Sequence, residues 1–188
     1  AATTDYHRYP DGDSLEMREL LATKFKIEVE RIVCGCGSDE LISLLCRSYA
    51  GPGDEIVCSA HGFAMYPIYG LTVGAKIITA NENDITISVD NLLEKVTKKT
   101  KIIFIANPNN PTGSILTLKE RNKVIELAKS VDAFIHSDEV YIGSELKKED
   151  TLSFQDIYDK TIITSGLSKS YSNPGIRIGW IASQEELI

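Results

Sequence analysis

Polar side chains that could do chemistry follow several apolar runs of this sequence. Asn110 lies in the turn after one run, Asp138 and Tyr141 follow the next, Lys169 follows a third, and Arg177 comes eight residues later. In an open parallel sheet, ligands gather at the carboxyl ends of the strands. We therefore expect an amide, a carboxylate, a phenol, an amine and a guanidinium on one edge. There an amine and a carboxylate can move protons, and a guanidinium can bind an anion.

Each of these residues also has an ordinary explanation when it is taken alone. The proline-rich run around Asn110 has the composition of a turn, and Asp138 could simply cap the next helix. Lys169 could be a solvated surface lysine, and Arg177 could pair with any of the 27 acidic residues. Only the combination and its order favour a functional site.

A glycine-rich segment lies near the start of the chain. Gly35 and Gly37 resemble the start of a dinucleotide-binding loop, but Glu40 occupies the third glycine position of that pattern, so the nicotinamide-nucleotide interpretation is weak. What remains is the expected helix N-terminus at Ser38 and Asp39. Its free backbone N–H groups can bind an anion.

Short β-branched runs alternate with amphipathic helical patterns along the chain. The candidate strands are Ile32–Cys36, Glu55–Ser59, Ala75–Thr79, Lys101–Ala106, Ala133–Ser137, Thr161–Thr164 and Ile176–Ala182. Most are continuously apolar, as expected for strands covered on both faces. Helices are predicted to begin at Asp13–Ser14, at Ser38–Asp39, after Ser88 and at the capping box Thr117–Glu120.

This alternation predicts an α/β fold in which a mostly parallel sheet of seven strands carries helices on both faces. The length of 188 residues fits one domain, spanning 1–188, and is enough to bury a sizeable core. No internal repeat, low-complexity tract or linker interrupts it.

Composition excludes several classes of function. The net charge is −7 without a basic block, so a nucleic-acid or anionic-membrane partner is not expected. No stretch approaches the length of a membrane span. The four cysteines lie in the first third of the chain, mostly within apolar runs, and lack a second pair at zinc spacing. We expect no metal site, a reducing compartment and a cytoplasmic protein.

Four motifs, taken in order, resemble the aminotransferases of fold type I, which depend on pyridoxal 5′-phosphate. They are Asn110–Gly113, Ser137–Tyr141, Ser168–Lys169 and Gly175–Trp180. Three earlier segments resemble more narrowly the histidinol-phosphate aminotransferases, namely His7–Gly12, Arg31–Glu40 and Gly62–Tyr66. The resemblance covers essentially the whole chain.

The resemblance implies a role for each residue that would face the cofactor ring. Lys169 is implied to form the Schiff base and then act as the base, and Asp138 to keep the ring nitrogen protonated so that the ring can accept electrons. Asn110 and Tyr141 are implied to hydrogen-bond the phenolic oxygen of the cofactor. Tyr66 is implied to stack on the ring face.

The resemblance also implies a phosphate site. Arg177 would clamp the phosphate, the helix N-terminus at Ser38 and Asp39 would donate backbone N–H groups, and Ser168 would add a contact. The partner subunit's Tyr9 would reach the same phosphate, which makes the expected assembly a homodimer. Gly166 departs from the family, which usually has Ser or Thr there, so one phosphate contact is expected to be missing or supplied by Ser165.

The resemblance implies a longer protein than this chain. The family continues into a small C-terminal domain that carries the arginine for the substrate carboxylate, and we expect this chain to be the large cofactor-binding domain without it. The implied reaction passes an amino group between glutamate and imidazole-acetol phosphate. Two alternatives stay open: another fold type I reaction, such as aromatic or aspartate transamination or amino-acid phosphate decarboxylation, and a catalytically inert module that binds the cofactor or dimerises.

Overall fold

The computed structural model describes Tyr9 and residues 11–146 and 151–188. At its centre lies a sheet of seven strands in the order β1-β7-β6-β5-β4-β2-β3. The strands are β1 (Ile32–Gly35), β2 (Glu55–Ser59), β3 (Lys76–Ala80), β4 (Thr100–Ala106), β5 (Phe134–Asp138), β6 (Thr161–Gly166) and β7 (Gly179–Ala182). Strands β2 to β6 are mutually parallel, whereas β7 is antiparallel to both its neighbours, β6 and β1. The predicted mostly parallel α/β sheet is confirmed.

Helices cover both faces of this sheet. They are α1 (Leu15–Phe25), α2 (Ser38–Tyr49), α3 (Met65–Thr72), α4 (Val89–Leu93) and α5 (Leu118–Val131). Along β4, Ile102 and Phe104 pack in one core with α2 and α3, while Ile103 and Ile105 pack in another with α4 and α5. Successive side chains of a strand point to opposite faces, so one strand serves two cores. A third core joins α1 to β1, β6 and β7 around Trp180.

The predicted helix starts agree with the structure where their chemistry is strongest. The Thr117 side chain accepts a hydrogen bond from the Glu120 backbone N–H at 3.3 Å, and a Glu120 carboxylate oxygen accepts one from the Thr117 N–H at 2.9 Å. This reciprocal pair is the capping box that the sequence predicts. The Ser88 side chain likewise caps α4 through the N–H of Asn91.

The predicted start of the last strand is wrong. The sequence pattern places the strand from Ile176, but a 3₁₀ turn occupies Pro174–Ile176 and the strand begins only at Gly179. Arg177 has a φ of 59°, in the left-handed region, which interrupts any extended conformation. The interruption matters for the site, because it places the Arg177 side chain beside the start of α2.

Two further observations concern the chain as a whole. All four cysteines are free thiols. In the part of the chain that the structure describes, no helix has the length and apolar character needed to span a bilayer.

Candidate active site

The loops after β4, β5 and β6 leave the sheet at one edge. The Asn107 backbone N–H donates to the Asp138 carbonyl at 3.0 Å, and the Glu139 N–H donates to the Thr164 carbonyl at 2.8 Å. These bonds keep the carboxyl ends of β4, β5 and β6 at the same edge of the sheet. The residues that follow them therefore meet in one place, as the parallel-sheet pattern predicts.

Asp138 is a buried acid at the end of β5, and its carboxylate is held by two donors. Its Oδ2 accepts a hydrogen bond from the Tyr66 hydroxyl at 2.6 Å, and its Oδ1 accepts one from the Val140 N–H at 3.3 Å. Burial raises the pKa of Asp138, and the Tyr66 hydrogen bond, the Val140 N–H and the charge of Lys169 oppose the rise. A buried carboxylate of this kind favours a cationic ligand, which would offset its desolvation.

Tyr66 occupies a different place from the one the resemblance implies. Its side chain is only 2% exposed, and its ring stacks on Phe104 with 4.4 Å between the ring centroids. The implied stacking of Tyr66 on a cofactor ring does not agree with this burial; its hydroxyl holds Asp138 instead. Phe63, 46% exposed, meets Tyr66 edge-on and is the aromatic side chain of this segment that presents surface. Sequence reasoning passed over Phe63, which stands inside the quoted Gly62–Tyr66 motif.

Lys169, Tyr141 and Asn110 form a second group beside Asp138. The Lys169 ammonium lies 5.7 Å from the centroid of the Tyr141 ring, and the Asn110 amide donates to the Tyr141 hydroxyl at 2.9 Å. A cavity of about 610 Å³ adjoins this group, with Asn110, Tyr141 and Glu145 among its lining residues. Its size suits a small organic ligand. The structure thus brings together the amine, phenol and amide that the sequence predicts.

A candidate anion site lies beside Ser168, the residue before Lys169. Arg177 Nη1 is 3.3 Å from the Ser168 hydroxyl, and a Cβ built on Gly37 would lie only 2.7 Å from Arg177 Nη2. Helix α2 begins one residue later, at Ser38, and its N-cap residue is Gly37, which has no side chain to cap it. The guanidinium therefore faces a helix N-terminus with free N–H groups, a pairing that favours a phosphate. The Asp39 carboxylate accepts from the Tyr69 hydroxyl at 2.8 Å, so Asp39 can contribute through its backbone N–H.

Gly179 sets the spacing of this anion site, and its substitution gives a first prediction. A Cβ on Gly179 would lie 2.5 Å from both the carbonyl carbon of Gly37 and the nitrogen of Ser38. Both are backbone atoms, so the N-terminus of α2 would have to move. We expect Gly179→Ala to lower the free energy of unfolding by about 1–3 kcal/mol, measured by urea denaturation. The control is Gly175→Ala, because nothing lies within 4 Å of a Cβ there; equal losses in the two variants would contradict the prediction.

Two other predicted features can be located. A Cβ on Gly166 would lie 3.0 Å from the Ile178 carbonyl oxygen, so β7 runs close to the position where the family usually has Ser or Thr. Tyr9 is 99% exposed, and the role implied for the partner subunit's Tyr9 stays a prediction.

The sequence profile of one family, described as aminotransferase class I and II, matches residues 1–188. The chain belongs to this family. Membership implies pyridoxal phosphate as the cofactor, as the motifs predict.

Named relatives are similar over nearly the whole of this chain. Histidinol-phosphate aminotransferase of Paramagnetospirillum magneticum is 41% identical over 100% of the chain, and that of Rhodospirillum rubrum is 43% identical over 96%. These matches cover 52% and 49% of the relatives, so the chain spans about half their length. Among solved structures, the aromatic aminotransferase of Pyrococcus horikoshii OT3 superposes with a TM-score of 0.87 and 26% identity, covering 96% of this chain and 52% of that one.

The residues of this aminotransferase chain fit pyridoxal phosphate on observations of its own structure. The buried Asp138 carboxylate would be stabilised by a cation, and the protonated ring nitrogen of the cofactor would supply one. Because Gly37 has no side chain, the Arg177 guanidinium can approach the N-terminus of α2, and together they would hold the phosphate. Lys169 stands between these two ends: its charge acts on Asp138, and the adjacent Ser168 contacts Arg177.

Proposed function

We propose that this chain supplies the cofactor-binding part of a histidinol-phosphate aminotransferase, which transfers an amino group between glutamate and imidazole-acetol phosphate. Relatives of that name, 41% and 43% identical to the chain, support the substrate. The observation that carries the proposal is the convergence of Lys169, Asp138 and Arg177 on one sheet edge.

Bound pyridoxal phosphate supplies an electron sink for the carbanion that forms at the substrate α-carbon. Lys169 Nζ would hold the cofactor covalently through its aldehyde carbon, with loss of water, and as a freed amine would move the proton of the substrate α-carbon. Asp138 would keep a proton on the ring nitrogen, and the Tyr66 hydroxyl holds that carboxylate by a hydrogen bond. Asn110 and Tyr141, which share a hydrogen bond, would hold the phenolic oxygen of the cofactor.

The remaining contacts of the proposed site hold the phosphate and cover the ring. Arg177, Ser168 and the backbone N–H groups of Ser38 and Asp39 bind the phosphate. Phe63 covers a ring face, because it is the exposed aromatic side chain of its segment.

The assembly and location are also part of the proposal. We propose a homodimer in which the partner subunit's Tyr9 completes the phosphate site, since Tyr9 makes little contact within its own chain at 99% exposure. We place the protein in the cytoplasm, as its pattern of cysteines suggests. Chemical cross-linking of the holoprotein would test the dimer.

Arg177 gives a second prediction. Arg177→Ala removes a charged donor pair from the phosphate, and hydrogen bonds to charged groups contribute about 1.5–3 kcal/mol. We expect the Kd for pyridoxal phosphate to rise about 10- to 100-fold, measured by spectroscopic titration. Arg177→Lys restores only part of the affinity, because an ammonium cannot form the two-pronged contact. The matched control is Arg47→Ala at an exposed position of α2. An unchanged Kd for pyridoxal phosphate in Arg177→Ala would contradict the proposed phosphate site.

The proposed function is tested by a half-reaction. The protein loaded with pyridoxal phosphate is mixed separately with L-histidinol phosphate, L-aspartate and L-tyrosine, and the visible band of the cofactor is followed. Rapid loss of the band with L-histidinol phosphate, and slow loss with the other two, supports the proposal. Preference for aspartate or tyrosine would favour a different aminotransferase. A stable band with all three would show an inert cofactor-binding chain.

A further inference from the structure

Ser170, the residue after Lys169, makes three side-chain contacts with the turn that carries Tyr141. Its Oγ lies 2.7 Å from the Ile142 carbonyl oxygen and 3.0 Å from the Val140 carbonyl oxygen. The Ser144 hydroxyl donates to the same Oγ at 3.0 Å. A serine hydroxyl has one hydrogen to donate and lone pairs to accept. Ser170 thus donates to the two carbonyls in turn and accepts from Ser144.

The turn is shaped to receive this hydroxyl. The N–H groups of Ile142 and Ser144 donate to the carbonyls of Glu139 and Tyr141 at 3.1 and 3.0 Å, so the backbone curls after β5. Gly143 has a φ of 90°, which a glycine adopts without strain. The turn therefore wraps around Ser170, with the Val140 and Ile142 carbonyls on either side of Tyr141.

Tyr141 is consequently held at both ends. The Asn110 amide donates to its hydroxyl at 2.9 Å, and Ser170 binds the backbone carbonyls on either side of it. Lys169 is the chain neighbour of Ser170, and its Nζ lies 5.7 Å from the Tyr141 ring centroid. One hydroxyl thus ties the backbone of the proposed catalytic lysine to the backbone of the proposed cofactor-binding tyrosine.

We infer that Ser170 is a positioning residue that fixes Tyr141 relative to Lys169 and so tunes the proton affinity at Lys169 Nζ when the cofactor is bound. This inference rests on the proposed function. A phenol that donates a hydrogen bond to the anionic oxygen of the cofactor ring draws electron density away from the neighbouring Lys169 Nζ. The affinity of Lys169 Nζ for a proton falls as a result. A looser Tyr141 raises that affinity.

The groups that face Lys169 stay the same when Ser170 is changed. They are Asp138 at the end of β5 and Tyr141 in the turn that follows it, with Arg177 before β7 contacting the adjacent Ser168. A shift in Ser170→Ala therefore reports a change in position and not the loss of a charge.

The test compares Ser170→Ala with Ser170→Thr, which keeps the hydroxyl, and with Ser130→Ala on the exposed face of α5. Hydrogen exchange of residues 139–144 is measured in the cofactor-free protein. The pH midpoint of the visible band is measured in the holoprotein. We expect faster exchange in Ser170→Ala and a midpoint raised by about 0.5–1 unit, a 3- to 10-fold gain in proton affinity. Ser170→Thr and Ser130→Ala behave like the unsubstituted protein.

Two results would overturn the inference. Faster hydrogen exchange with an unchanged pH midpoint would show that Ser170 is a purely structural contact. No change in either measurement would show that the Ser170 hydroxyl does not hold the turn. Absence of a visible band in the unsubstituted protein would instead refute the proposed function and with it the tuning role. In that case the exchange measurement still reports whether the hydroxyl holds the turn, so the two failures are distinguishable.

Discussion

We expect Lys169→Ala to abolish covalent attachment of pyridoxal phosphate and to slow the half-reaction by about 10⁴-fold, the upper end of what a general acid–base group contributes. An alanine has no amine to bond to the cofactor aldehyde or to take the α-proton. Phosphate contacts from Arg177 and α2 remain, so the cofactor should still bind, without its bond to the protein. Borohydride reduction followed by mass spectrometry measures this: the unsubstituted protein gains the cofactor mass and the variant does not.

The matched control for this prediction is Lys160→Ala. Lys160 lies at the opposite end of β6 and pairs with exposed Asp132 at 2.7 Å, so its loss should change neither attachment nor rate. Attachment of the cofactor at another lysine in Lys169→Ala would contradict the assignment.

The second large effect is expected for Asp138→Asn, which keeps the shape of the side chain and removes its charge. The ring nitrogen then loses the anion that keeps it protonated, and we expect turnover to fall about 10²–10³-fold, the usual cost of removing one preorganised electrostatic contact at a reacting centre. Single-turnover kinetics with L-histidinol phosphate measures this loss. Asp132→Asn, at an exposed acid, is the control.

The cofactor-free protein should respond in the opposite direction. The pKa of Asp138 is raised above its ordinary value of 3.8 chiefly by burial. The folded state therefore binds this proton more strongly than the unfolded state, and stability from this group is lost as pH rises through the folded pKa. At neutral pH the buried charge is a cost that Asn avoids. Without cofactor, Asp138→Asn should melt no lower than the unsubstituted protein; a large drop in Tm would show that the carboxylate is structural.

Much of the fold follows from local pattern. The predicted run Ala133–Ser137 begins with three apolar residues, and β5 forms one residue later, at Phe134–Asp138, with all five residues buried. His136 is accommodated because its Nε2 lies 2.7 Å from the Thr164 hydroxyl, while burial lowers its pKa to about 3. The predicted start of β7 was wrong. The strand propensity of residues 176–178 does not reveal the turn at Pro174 or the positive φ of Arg177.

The candidate site was predictable where residue type limits the chemistry. An acid, a lysine and an arginine in this order, within motifs that resemble the aminotransferases, imply pyridoxal phosphate, and the structure places Asp138, Lys169 and Arg177 at one edge of the sheet. The supporting contacts were not predictable in the same way. Nothing in the sequence distinguishes a tyrosine that stacks on a ligand from one that holds an acid, and nothing marks the hydroxyl of Ser170 as the contact to the Tyr141 turn.

The sequence by itself determined the class of fold and the family, because both are carried by residues close together in the chain, and it predicts the reactive residues through the family motifs. The tertiary structure alone decided that Tyr66 meets Asp138 across 72 residues of sequence, and that Gly179 leaves room for α2 beside Arg177. Such contacts depend on strand order and register, which bring distant segments to within hydrogen-bond distance. Strand order and register in turn follow from packing over the whole sheet, so no short stretch of residues encodes them.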